Sequence, residues 1–105
     1  MIKNTIQIVF VFVFLHVAHL SGQDLKVKAD SISDLYLEHS IDNYEESLPA
    51  LQTALEIYKE LKDSCKISST AMRLGQNYDA LGMLDSSLQL LLWSEPYAYA
   101  CGNEE

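Results

Sequence analysis

The amino-acid sequence predicts an all-α protein, in which two stacked antiparallel helical hairpins follow an N-terminal signal helix. Beyond residue 22, apolar residues recur at steps of three and four, which is the period of one helix face rather than of a strand. Similar residues also recur 40 positions apart, as in the pairs Leu48 and Leu88 or Leu51 and Leu91. A period of this length indicates a repeated supersecondary unit.

Residues 1–22 have the pattern of a secretory signal peptide. Lys3 gives a positive start, and residues 8–15 form an unbroken apolar run. Small residues up to Gly22 allow cleavage before Gln23. The alternative is an uncleaved anchor, although the apolar run is shorter than the roughly 20 residues that a spanning helix needs. We therefore expect a periplasmic or secreted protein that contacts the membrane only through this segment.

The mature part, residues 23–105, is predicted to be a single helical repeat region of acidic character. The whole chain has seven basic and 15 acidic residues and a formal net charge of -8. Binding to nucleic acid needs clustered Lys and Arg, and none cluster here, so no nucleic-acid partner is expected. The chain also contains no phosphate-binding glycine loop and none of the common metalloenzyme or nucleophile motifs. We expect no enzymatic activity, no metal and no cofactor.

The two cysteines, Cys65 and Cys101, leave two interpretations open. They are too few for a disulfide framework and lack the paired spacing of a zinc site. Two unpaired, partly buried thiols are the leading expectation. A single bridge is the alternative, because an oxidising compartment would permit it.

The first hairpin is predicted to pair a helix over about Lys28–Ile41 with one over about Tyr44–Lys62. The second of these helices carries a wide apolar stripe, and its charged residues lie mostly off that stripe. Asp42 and Asn43 supply capping oxygens ahead of it. Pro49 lies near its first turn, where a missing amide hydrogen is least costly.

The second hairpin is predicted to pair a helix over about Ser64–Leu81 with one from Leu84 to Glu95 or beyond. Gly82 ends the first of these, because glycine accepts the left-handed backbone of a helix C-terminus. Pro96 should kink or stop the second near Glu95. This last helix is apolar on nearly every side and therefore requires a cover: a third repeat, a second copy of the chain, or the tail over residues 97–100 folding back.

One stretch of the second hairpin resembles the tetratricopeptide repeat, in which small residues allow two helices to cross closely. The matching residues are Leu74-Gly75-x-x-Tyr78-x-x-x-Gly82-x-Leu84-x-x-Ser87-x-x-x-Leu91-x-x-Ser94. At an offset of 40, Leu35 stands in the first repeat where Gly75 stands in the second, and Glu38 where Tyr78 stands. The resemblance covers repeats at about residues 29–62 and 64–103, and the period is similar to a longer variant frequent in bacterial signalling proteins.

The resemblance implies a non-catalytic protein–protein interaction module, such as an exported scaffold or the sensor region of a bacterial envelope or signalling protein. In this family the first helix of each repeat lines a concave groove for a protein or peptide partner. The face that matches this groove contains Tyr36, His39, Arg73, Gln76 and Asp79. The exposed apolar last helix could also join copies of the chain into a homo-oligomer. The alternative function is a small secreted four-helix bundle that binds a small ligand in its core.

Overall fold

The computed structural model describes residues 21–38 and 43–103, and this part of the chain contains helices and turns but no strand. This confirms the all-α class. The predicted signal segment lies outside the described residues, except for its last two positions. Four helices follow one another: α1 over Gly22–Ser33, continued by a π-helical turn over Asp34–Glu38, then α2 over Tyr44–Leu61, α3 over Ser64–Ala80 and α4 over Leu84–Asn103.

Helix α1 begins at Gly22, not near Lys28, so the predicted start of the first helix is wrong by about six residues. Ser21 is its N-cap, and the hydroxyl Oγ accepts a hydrogen bond from the backbone N–H of Asp24 at 3.2 Å. The first two turns are mostly polar and exposed, so apolar periodicity gives no signal there. The cap, rather than an apolar stripe, determines where this helix starts.

Helices α2 and α3 have the predicted bounds to within one residue, because each begins at a strong cap. The Asn43 side chain accepts from the backbone N–H of Glu46 at 3.2 Å, and its amide donates back to the Glu46 carboxylate at 3.0 Å. Asp63 caps α3 by accepting from the backbone N–H of Lys66 at 3.1 Å. Both caps satisfy amide donors that would otherwise lack a partner at a helix start.

The same two helices end in left-handed turns. At the end of α3, Gly82 has φ 77° and the N–H of Met83 donates to the carbonyl of Tyr78 at 2.8 Å. The predicted role of Gly82 is thus confirmed. At the end of α2 the corresponding position is Lys62, with φ 55°. A residue with a Cβ is strained in this region, whereas glycine is not.

Helix α4 continues through Pro96 to Asn103, so the prediction that it stops near Glu95 is wrong. Proline removes one backbone donor and crowds the carbonyl of Leu92. Leu92 is 60% exposed, so water can hydrate a carbonyl on this side of the helix. Because residues 97–100 remain helical, they do not fold back over α4.

A disulfide joins Cys65 in the first turn of α3 to Cys101 in the last turn of α4. The leading expectation of two unpaired thiols is therefore wrong. The two helices form an antiparallel hairpin of nearly equal lengths, which brings its open ends to a Cα–Cα distance of 4.7 Å. The bridge holds in place the part of α4 that lies beyond Pro96.

The hydrophobic core lies between α1, α2 and α3, and α4 contributes only its inner edge. Each helix packs mainly against its neighbours in sequence. Among apolar residues the most buried are Ala29, Leu51, Ala54, Leu55, Tyr58, Ile67, Ala71 and Leu74. From α4, the buried residues are Ser87 and Ser94, while Leu90 and Tyr97 pack against the core from outside.

The two hairpins bury corresponding residues, but not at one constant offset. Helices α2 and α4 correspond at 40 residues, since Ser47 and Ser87 are both buried, as are Ala54 and Ser94. Helices α1 and α3 correspond at 42 residues. At this offset core-packed residues coincide in five pairs: Leu25 and Ile67, Ala29 and Ala71, Ile32 and Leu74, Ser33 and Gly75, Tyr36 and Tyr78.

This difference corrects the predicted alignment of the first repeat. Leu35 is 51% exposed and does not take the position of Gly75, whereas Ser33 is 1% exposed and does. Likewise Tyr36, not Glu38, corresponds to Tyr78. In the first hairpin the buried Ser47 follows Tyr36 by 11 positions, whereas in the second Ser87 follows Tyr78 by nine, which accounts for the change of offset by two residues.

Candidate functional site

The residues predicted to line a concave groove differ in their exposure and contacts. Arg73 is half-buried and its guanidinium donates to the side-chain oxygen of Gln76 at 3.4 Å. Gln76 and Asp79 are exposed. Tyr36 packs against the hydrophobic core and is not a free anchor. His39 lies outside the described residues.

A continuous apolar surface lies instead on the side of α4 that faces away from α2. We call it the outer face, and it consists of Leu84, Asp85, Leu88, Leu91, Leu92, Glu95 and Tyr99. Steps of three and four place these residues on one side of the helix. Leu84, Leu88 and Leu92 are 64%, 58% and 60% exposed. An exposed apolar patch of this kind is typical of an interaction site.

The corresponding side of α2 is covered in part: two of its leucines are buried, whereas Glu45 and Gln52 are exposed. Leu51 is fully buried and Leu55 is 4% exposed, and α3 packs against this helix. Leu91, which corresponds to Leu51, is 39% exposed. Helices α2 and α4 thus differ in what lies over Leu51 and Leu91. Helix α3 packs against α2, whereas the described residues place no helix over the same side of α4.

An open groove of about 560 Å³ runs beside the outer face, between α3 and α4. Met72 and small residues of α3 form one wall, and Leu88, Leu91 and Leu92 of α4 form the other. Glu95 is the only charged residue in its lining, and the Cys65–Cys101 bridge lies along it. The groove is therefore mainly apolar with a single carboxylate.

Helices α3 and α4 pack closely at Gly75, next to the groove. A Cβ on Gly75 would lie 3.1 Å from Cδ2 of Leu91, which is closer than an ordinary van der Waals contact. Ser87 is 2% exposed on the same side of α4. The absence of a side chain at Gly75 therefore leaves room for Leu91 between the two helices.

The opposite side of α4 is occupied by contacts within the chain. Lys59 of α2 places its Nζ 4.5 Å from the centre of the Trp93 ring, and the Tyr97 ring lies 4.9 Å from that of Trp93. Gln52 donates to the hydroxyl of Tyr78 at 2.8 Å beside this cluster. Cation–π and aromatic contacts of this type stabilise partly exposed rings. Within residues 21–38 and 43–103, the outer face is therefore the side of α4 with the more exposed leucines.

One buried hydroxyl has a perturbed pKa, and its role is structural. Tyr58 is fully buried, donates a hydrogen bond to Asp30 and has Ser33 Oγ at 3.1 Å. Burial, and then the hydrogen bond to Asp30, raise the pKa of Tyr58 to about 12. The phenol remains protonated at neutral pH and joins α1 to α2.

Within residues 21–38 and 43–103, no three His, Cys, Asp or Glu side chains are placed to hold a metal ion. The helices in these ranges are also not long and apolar enough for any of them to span a membrane. No protein-family model, curated protein or solved structure shows a significant match to this chain.

Proposed function

We propose that this chain is an exported, non-catalytic protein–protein interaction module of the tetratricopeptide type, and that the outer face of α4 binds its partner. One observation carries the proposal. Residues that correspond in the two hairpins are buried alike toward the core, yet Leu51 and Leu55 are buried in α2, whereas Leu91 and Glu95 at the corresponding positions of α4 are exposed. In stacked repeats each unit covers its neighbour, so a face with exposed leucines is suited to accept another protein.

The corrected alignment supports a repeat of this type. Ser33 and Gly75 are small, buried residues at corresponding positions, each followed three residues later by a tyrosine packed against the core. Small residues at helix crossings allow close approach of the two axes. With the 42-residue offset, the first hairpin fits the pattern better than its sequence alone indicated.

The disulfide supports an exported location. Bridges such as Cys65–Cys101 form and persist in oxidising compartments and are rare where thiols are kept reduced. A role as a scaffold or sensor region in a bacterial envelope agrees with both the bridge and the predicted signal segment. The small size of the core also agrees with a module that gains stability from a partner.

Site-specific photo-crosslinking in the cells that make the chain tests this proposal. A photo-reactive amino acid would replace Leu88 on the outer face, Gln76 on the face predicted from the resemblance, or Val27, which is 60% exposed on α1. We expect a discrete protein adduct from position 88 that Leu92→Asp removes, and no such adduct from position 27. Adducts from position 76 alone would move the binding surface to the predicted concave face, and equal adducts from all three would overturn the proposal.

A further inference from the structure

We infer that the outer face of α4 binds a basic amphipathic helix, an inference that rests on the interaction function proposed above. The central leucines of this face lie between two acidic residues, Asp85 toward the N-terminal end of α4 and Glu95 toward the C-terminal end. Asp85, Leu88, Leu92, Glu95 and Tyr99 follow one another at steps of three and four along α4, and so lie in one stripe. The two carboxylates are about 15 Å apart along the axis, at a rise of about 1.5 Å per residue.

The chain itself shows what kind of element covers such a face. Helix α3 packs against α2, and Leu51 there is fully buried, whereas Leu91 at the corresponding position of α4 is exposed. The apolar residues of α3 repeat at steps of four and three, as Ile67, Ala71 and Leu74. A partner helix with apolar residues at the same steps would fit the face and the groove beside it.

The charges on α4 define the polar part of the partner. Glu95 stands at the position that corresponds to Leu55, which is buried in α2 under α3. A docked helix would partly bury this carboxylate, and an unpaired buried charge is costly. Helix α4 contains Asp85 and Glu95 but no Lys, Arg or His. A Lys or Arg toward each end of the partner's apolar stripe would pair with these two acids.

The same charges disfavour two other occupants. A second copy of the chain would bring another face with the same two acids, on a molecule with a formal net charge of -8. Like charges brought together across an interface weaken binding. An anionic lipid surface is disfavoured for the same reason, since amphipathic helices that bind such membranes are rich in Lys and Arg.

Two designed peptides of 17 residues, the length of α3, test the inference by titration against the full chain. Both carry Ile, Ala and Leu at the spacing of Ile67, Ala71 and Leu74. One has lysines and the other glutamates outside this stripe. We expect the basic peptide to bind saturably at 1:1, at least about tenfold more tightly than the acidic one, with an affinity that decreases as salt increases.

Matched variants test whether the peptide binds on the outer face. Leu88→Asp should weaken the basic peptide by about tenfold or more, as expected when a central apolar contact is lost. Val27→Asp, at a site of nearly equal exposure on α1, should leave the affinity unchanged. Glu95→Lys should reduce or reverse the preference for the basic peptide. Equal effects of the two aspartates, or no effect of Glu95→Lys, would overturn the inference.

The remaining outcomes separate this inference from the proposed function. Failure of the basic peptide to bind better than the acidic one overturns the inference, while a protein adduct from position 88 would still support an interaction module. Self-association that Leu88→Asp abolishes would instead identify a second copy as the occupant. Binding of the chain to phosphatidylcholine vesicles through Leu88 would identify a membrane surface, and either result would replace the basic helix.

Discussion

Removal of the bridge between Cys65 and Cys101 should destabilise the chain strongly. The two cysteines are 36 positions apart, and closing a loop of that length in the unfolded chain corresponds to roughly 4 kcal/mol at 25 °C in the chain-entropy treatment. A domain of this size has a total stability of only about 5–15 kcal/mol. The Cys65→Ala/Cys101→Ala double variant should therefore retain only part of the wild-type stability or fail to fold at room temperature.

The loss should be greatest in the last two turns of α4. Pro96 weakens helix continuity there, and residues beyond it contribute few buried side chains. Urea unfolding followed by circular dichroism would measure the free energy. Hydrogen exchange should show the largest increase in residues 97–103, with α2 affected least under conditions where the variant remains folded.

Two controls determine whether the reasoning holds. Alkylation of the unreduced, denatured wild-type chain should add no mass, and alkylation after reduction should add two labels. Reductant should lower the unfolding midpoint of the wild type but not that of the double variant. Two labels without reduction, or a free-energy change below about 0.5 kcal/mol, well under the usual range for a native disulfide, would refute the prediction.

Four further substitutions have definite expected signs. Lys62 and Gly82 both have positive φ. Lys62→Gly should therefore stabilise the chain by about 0.5–1 kcal/mol, and Gly82→Ala should destabilise it by about 1 kcal/mol. In thermal melts the Tm of the two variants should shift in opposite directions. Gly75→Val should cost about 1–3 kcal/mol because its side chain would meet Leu91, and an unchanged urea midpoint would contradict this. Tyr58→Phe should cost about 1–2 kcal/mol through the loss of its hydrogen bonds. The pKa of Tyr58 is about 12 in the folded chain against 10.0 unperturbed. Its contribution to the free energy of unfolding is therefore complete below pH 10 and should be lost as pH rises toward 12. The phenylalanine variant should lack this part of the loss of stability at alkaline pH.

Local signals predicted α2 and α3 well because both helices have a stripe and a cap. Asn43 and Asp63 stand directly before the first helical residues, and their side chains accept hydrogen bonds from the helix amides. Gly82 marks the end of α3 for an equally local reason, its positive φ. At these positions the choice of residue and the backbone geometry it permits are closely linked.

The errors occurred where a distant contact outweighs a local rule. Pro96 predicts a helix end, yet Cys101 is held against Cys65 from the far end of a hairpin. The two wrong predictions, a helix end at Glu95 and two unpaired thiols, are linked. A helix that ended at Glu95 would not carry Cys101 toward Cys65. The two-residue shift between α1 and α3 was likewise hidden, since the correspondence of Ser33 with Gly75 is visible only from burial.

The candidate binding surface was predicted in part. The excess of apolar residues in α4 indicated an uncovered helix, and the exposure of Leu84, Leu88 and Leu92 agrees with it. The groove residues were predicted from a resemblance. With an offset of 40 Tyr36 was aligned with the exposed Gln76, whereas at the observed offset of 42 it corresponds to Tyr78 and packs against the core. Which side of α4 is free depended on Lys59, whose contact with Trp93 spans two helices that are not consecutive.

The contact between Lys59 and Trp93 makes the fluorescence of the tryptophan a natural probe of the position of α4. Trp93 is the only tryptophan in the chain; it lies about 140° around the helix from Leu88, with the ammonium group of Lys59 over its ring. A ligand that settles on the leucines without displacing α4 should leave its emission nearly unchanged. A ligand that rotates or lifts the helix would separate the indole from the ammonium group and shift the spectrum, so fluorescence can distinguish simple docking from rearrangement without any added label.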